Sequence, residues 1–303
     1  MVSQVCIVVV VLVVVAYLIV LERKGLGMVQ LRQGPNKVGV KGLLQPVADG
    51  VKLFVKELSY TFFTNKTVFL VGPMILFFLA ITTWLIFPGS SCYFYAELSA
   101  LFFLCVSSCN VYGVFMCGWC CNSRYGMLGA MRAVAQVISY EVVMSSLLFC
   151  PLFMIGSFDM SFFMDQSYFK LFIIFDVFIL WFIVILAELN RTPFDFVEGE
   201  SELVAGYSVE YGGGGFALIA LAEYSNILFL GVFSAVMFCS FRFIADVVCD
   251  AVVALFAVLI CYFIITVRGT LPRYRYDLLM EFCWTVMLPF SFSLLAFFVM
   301  CIY

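Results

Sequence analysis

The sequence predicts an all-α polytopic membrane protein, with eight transmembrane helices and one amphipathic helix at the interface. Three observations predict it. Hydrophobic residues fill 65% of the 303 positions and charged residues only 12%, against about 45–50% apolar in soluble domains. Eight apolar runs have roughly the 20 residues that cross a bilayer. The loops between them also alternate in charge. No polar stretch exceeds one long loop, so residues 1–303 form a single membrane domain. The net charge of −3 comes without a dense basic patch, which excludes nucleic acid as a partner.

The expected spans are 2–21, 68–87, 97–119, 130–153, 170–189, 216–239, 251–267 and 279–302. The first lacks a preceding basic region and a following cleavage site, so it reads as a retained span. The odd loops (22–67, 120–129, 190–215 and 268–278) and their borders hold fourteen of the sixteen Lys and Arg. The even loops keep only Lys170 and Arg242. The positive-inside rule then puts both termini outside and the odd loops inside. Within the first inner loop, Leu43, Leu44, Val47, Val51, Phe54 and Val55 recur at helical spacing, opposite Asp49, Lys52, Lys56 and Glu57. This predicts an interfacial helix over 43–56.

Several chemistries are excluded. Most of the thirteen cysteines lie inside apolar runs, where thiols act as small hydrophobes. Cys117 and Cys120 form a lone CxxC, and histidine is absent, so no metal site is expected. No nucleotide-binding glycine motif occurs; Gly212–Gly215 reads as backbone irregularity before a span. Abundant Phe, Val and Cys, with no His and only eight Pro, fit a coding strand rich in T and G, common in organellar genomes. That points to mitochondrial encoding.

Residues 188–210 carry six of the nineteen acids at the boundary between two apolar runs. Crowded, dehydrated carboxyl groups favour their neutral form, which suits them to take up and release protons. Asp195, Glu198 and Glu202 share a face if the loop is helical; Glu198, Glu200 and Glu202 do so if it is extended. Glu188, Glu210 and Glu223 flank them. Glu141 lies deep in the fourth span, about 13 Å along the helix from Arg132, and so needs a partner on another helix. A buried charge is costly in the bilayer and normally faces protein or water.

The ordered motifs resemble subunit 1 of respiratory NADH:ubiquinone oxidoreductase (complex I). They are Glu22-Arg23-Lys24 through Gln30-Leu31-Arg32-Gln33-Gly34-Pro35-Asn36, Gly42-Leu43-Leu44-Gln45-Pro46-Val47-Ala48-Asp49-Gly50, and Leu128-Gly129-Ala130-Met131-Arg132 through Tyr140-Glu141. Ala187-Glu188-Leu189-Asn190-Arg191-Thr192-Pro193-Phe194-Asp195, Glu198-Gly199-Glu200-Ser201-Glu202 and Leu271-Pro272-Arg273-Tyr274-Arg275-Tyr276-Asp277 complete the set. The resemblance spans nearly the whole chain and implies a multi-pass subunit of the mitochondrial inner membrane, its termini on the intermembrane-space side.

It also implies ubiquinone as substrate, with flavin and iron–sulfur clusters in partner subunits and no stand-alone catalysis. Neighbouring membrane subunits and the peripheral subunits of the quinone site would be its partners. On this resemblance, Glu22, Arg23, Arg32, Asp49, Lys52, Phe54, Phe194 and Arg273 would contact the quinone path. Asp49, Glu57, Arg132, Glu141, Glu188, Arg191, Asp195, Glu198, Glu200, Glu202, Glu210 and Glu223 would couple it to protons. Arg132, Arg191, Arg273 and Arg275 would pair with the acidic loop or the quinone path. Two departures stand out: the four-glycine run, and Leu58 where the family has proline. A related hydrogenase anchor and a free-standing proton transporter are the alternatives; the absence of an internal repeat speaks against the second.

Overall fold

The structure, a computed structural model, describes residues 2–58, 60, 64–87, 97–165, 170–196, 206–240 and 246–302. Among these, regular structure is entirely helical. The helices are α1 (Val2–Val29), α2 (Gln45–Val55), α3 (Lys66–Thr83), α4 (Ser99–Cys120), α5 (Arg124–Ile155) and the short α6 (Ser161–Asp165). They continue with α7 (Phe175–Glu188), α8 (Gly213–Ser234), α9 (Asp246–Thr270), α10 (Tyr276–Phe282) and α11 (Leu288–Ile302). Wide π turns extend α8 through Ala235–Cys239 and join α10 to α11 through Cys283–Met287.

Among the described residues, seven segments are long and apolar enough to cross a membrane: Val5–Val29, Lys66–Ile86, Ser99–Cys120, Arg124–Ile155, Gly213–Cys239, Val248–Thr270 and Tyr276–Cys301. The expected fifth span differs. In place of 170–189 there is α7, of 14 residues, about 21 Å long at 1.5 Å per residue and short of the ~30 Å hydrocarbon core. Lys170 explains the late start. It is buried, and its ammonium donates to the Phe163 carbonyl and to Ser240 Oγ at 3.1 Å, tying residues 170–172 into a 3-10 turn. Helix α7 lies inside the bundle, with Val177, Trp181, Val184, Ile185 and Ala187 fully buried.

Capping accounts for the other shifted ends. Ser123 Oγ accepts from the Gly126 N–H at 3.2 Å, starting α5 six residues before the apolar run. Gly156, at φ 74°, closes it in the left-handed conformation. Helix α1 continues past Glu22-Arg23-Lys24 because all three charges find partners: Glu22 with Arg191 and Arg268, Arg23 with Asp49, and Lys24 with the Lys41 carbonyl at 2.6 Å. The centre of the bundle is α5, packed against α4, α7 and α11; α8 is the second hub, against α1, α3 and α9.

The interfacial helix is present as α2, close to the expected 43–56. It touches α1 and α8, yet none of its residues is buried. Val47, Val51, Phe54 and Val55 leave its apolar face open. It stops at Lys56, whose ψ of 133° is extended. The glycine run fits against this end: at Gly213 (φ +55°) a Cβ would lie 2.8 Å from the Lys56 carbonyl oxygen. Glycine alone meets both the backbone angle and the close approach.

Candidate functional site

At one end of the bundle, three elements distant in sequence converge on one carboxylate. Glu22, near the end of α1, has only 6% of its side chain exposed and receives Arg191 Nη1 at 3.2 Å. Arg268, in the last turn of α9, also donates to the same Glu22 oxygen. Arg191 lies 4.7 Å over the ring of Tyr224, a cation–π contact strengthened by burial. Burial opposes the charge on Arg191, but Glu22, Tyr224 and Glu223 outweigh it and hold the guanidinium above its usual pKa. It stays charged at any working pH. Next to it, Tyr207 donates its hydroxyl to Glu223. Two acids and two guanidiniums thus make a formally neutral, largely buried cluster.

A cavity of about 80 Å³ opens beside this cluster, between α3, α4, α8 and the end of α7. A single water needs roughly 10–15 Å³ of such space, so it has room for several. Its polar wall consists of Asn110, Glu188, Asn190, Arg191, Glu223 and Asn226, and Leu76, Phe103, Val106, Phe229 and Leu230 are among its apolar groups. Glu188 Oε2 and Asn110 Oδ1 are buried without a protein hydrogen bond among the described residues. Glu141 lies close enough to Glu188 for the two carboxyl groups to repel each other.

The expected residues separate into distinct places. Arg23 pairs with Asp49 at 2.5 Å, and Gln45 donates to Asp49 at 2.8 Å. This fixes α2 to α1, but the pair is half-exposed and contributes little. Glu22 turns away from them into the buried cluster. Arg32, Lys52, Phe54 and Glu57 are exposed on the α2 side. Asp195, 4% exposed, is held by Arg273 Nη2 at 3.4 Å, while Phe194 is buried near the rings of Tyr140 and Tyr274. Glu210 meets Cys121 through its backbone.

One of the expected charge pairings differs. Arg275 bonds Asp277, two residues away, on the surface: at this spacing the local carboxylate is the nearest counter-ion. Arg132 stands 5.9 Å over the ring of Tyr276. Glu198, Glu200 and Glu202 lie outside the described residues. Sequence reasoning did not single out Arg268, Tyr207, Tyr224 or Gln136. Gln136 is fully buried and donates to the carbonyls of Ala187 and Phe194 at 2.9 and 3.0 Å, fixing the turn that carries Arg191. Arg268 had a usable signal, because it ends its span on the same predicted side as Glu22. The tyrosines and Gln136 had none, since their roles depend on which helix faces which.

A multi-pass helical bundle with buried acids and arginines beside a cavity with room for several waters has the build of an integral membrane protein. The NADH dehydrogenase family model matches residues 2–299. The chain is 46% identical over 302 residues to the NADH-ubiquinone oxidoreductase chain 1 of Aedes aegypti, covering 99% of this chain and 95% of the relative. It is 46% identical over 298 residues to that of Heterololigo bleekeri (96% and 94%) and 46% over 288 residues to that of Branchiostoma lanceolatum (94% and 90%). The chain belongs to the NADH dehydrogenase family.

Proposed function

We propose that this chain is the membrane subunit of respiratory complex I that forms part of the ubiquinone tunnel and couples quinone reduction to proton translocation. The observation that carries the reading is the cavity walled by Glu188 and Glu223 and closed by Arg191, which also grips Glu22. Acids facing a space with room for water can pass protons through hydrogen-bonded chains. A guanidinium shared between Glu22, Glu223 and Tyr224 makes the potential at each depend on the others.

In this reading α2, with Arg23, Asp49, Lys52 and Phe54, borders the quinone path, and its open apolar face holds the isoprenoid tail. Arg273 and Asp195 fix the turn that carries Arg191. A change of charge at the quinone end shifts the protonation of Asp195 and the acidic loop, then of Glu223, Glu188 and Glu141. Glu57, Arg132 and Glu210 belong to the edges of the same network, and Glu198, Glu200 and Glu202 would link it to the quinone. The electron carriers sit in peripheral partners, and the complex lies in the mitochondrial inner membrane with the termini of this chain facing the intermembrane space.

The test is carried out on the assembled complex in proteoliposomes. Glu188→Gln and Glu223→Gln should each depress inhibitor-sensitive NADH oxidation and the accompanying proton uptake. Normal rates and normal pumping in both would remove the cavity from the proton path.

A further inference from the structure

A second space in the molecule lies away from the acid cluster. A groove of about 860 Å³ runs along the meeting of the α4 end and the α5 start, bordered by Asn65 at the start of α3. Its walls combine two chemistries. Val68, Met116, Met127 and Leu128 are apolar, while Asn65, Asn122, Ser123 and Arg124 are polar. Trp119 stands on its edge, 62% exposed. Among the described residues, Arg124 makes no ion pair and no acid lines the groove. Glu210, which meets Cys121 next door through its backbone, is not among its walls.

The groove sits where three spans end together: α3 and α5 begin there and α4 finishes. That is the level of lipid headgroups, where tryptophan is enriched for its apolar ring and polar N–H. We propose that this groove binds an anionic glycerophospholipid from the bilayer, its phosphate held by Arg124 and its glycerol and proximal acyl carbons against Met116, Trp119 and Leu128. Three features favour a lipid. A positive charge with no counter-ion among the described residues suits phosphate, in the planar fork that guanidinium offers it. The Asn65 amide supplies a hydrogen bond at headgroup depth. The apolar walls open toward the acyl region and would gain nothing from a free anion.

The test uses the assembled complex in native membranes, with diazirine-bearing phosphatidylglycerol and the same label on phosphatidylcholine. Cross-links are mapped by mass spectrometry. Phosphatidylglycerol should label residues 116–128 about fivefold more than phosphatidylcholine, the factor that one basic residue contributes at an anionic membrane surface. Arg124→Gln should abolish the preference and Arg124→Lys should keep most of it. Excess inorganic phosphate should leave it unchanged. Equal labelling by the two lipids in the native complex would overturn the proposal, as would competition by inorganic phosphate, or capture of a neighbouring subunit in place of lipid.

Discussion

Replacing Glu22 by Gln should damage this protein more than removing Arg268, the more exposed of the two guanidiniums it holds. The carboxylate is 6% exposed and serves Arg191, itself only 11% exposed, and Arg268, 31% exposed. Glu22→Gln leaves two arginines facing one remaining acid, Glu223. Breaking a buried pair from one side costs about 3–5 kcal/mol. Arg268→Met leaves Arg191 to serve Glu22 and Glu223, and a surplus carboxylate can take up a proton where a surplus guanidinium cannot lose one. Its cost is that of a hydrogen bond to a charged group, about 1.5–3 kcal/mol, reduced by the solvent open to Arg268. A difference of about 1.4 kcal/mol between the two is a tenfold change in an assembly equilibrium. The assay is the fraction of chain recovered in the full-size complex on native gels, over a detergent titration. The double variant Glu22→Gln/Arg268→Met should assemble better than Glu22→Gln alone, since one unmatched charge has gone. Strictly additive losses would show that the two side chains are not coupled, and equal damage from the single variants would refute the buried-cluster reasoning.

Three further outcomes follow from the same geometry. Gly213→Ala must place a Cβ at φ +55° and 2.8 Å from the Lys56 carbonyl oxygen; it should cost about 1–3 kcal/mol and expose the end of α2 to limited proteolysis. Gln136→Leu removes the donor to two buried carbonyls and should lower thermal stability of the complex by about 1–3 kcal/mol, with quinone reductase activity falling because Arg191 loses its support. Tyr207→Phe deletes the hydroxyl donor to Glu223 while keeping the ring, so assembly should be normal and the protons moved per NADH should fall; an unchanged ratio would place Tyr207 outside the coupling network.

Much of the fold was legible because hydropathy acts over whole spans, and one wrong residue does not hide a run of twenty. The fifth span is matched only in part, by the shorter α7, for a local reason. Residues 170–189 are apolar enough, but Lys170 is drawn by Phe163 and Ser240 into a turn that no periodicity encodes. The start of α5 was missed in the same way, because a single Ser123 hydroxyl adds a turn and a half of polar helix. In the site, charge was readable and pairing was not. Glu22 and Arg191 were both expected to matter, but their contact joins residues 169 apart, and Arg268 is 246 residues from Glu22. Separations of this kind are set by packing. The acids of residues 197–205 were singled out by charge, spacing and the family motif, and their place in the fold is outside the described residues.

The span of the Glu22–Arg268 contact has a consequence for how the chain is made. Membrane helices enter the bilayer in order as they leave the ribosome, so Glu22 is in place long before Arg191, and longer still before Arg268. Through most of synthesis its carboxylate must be satisfied by water or headgroups at the membrane edge. The inner faces of α1, α7 and α9 can therefore lock together only after about nine-tenths of the chain exists. A translation product that stops just before residue 268 carries six of the seven apolar segments but lacks that clasp. Quality control that senses an unsatisfied intramembrane charge would thus distinguish the finished subunit from its late truncations, which hydrophobicity alone could not do.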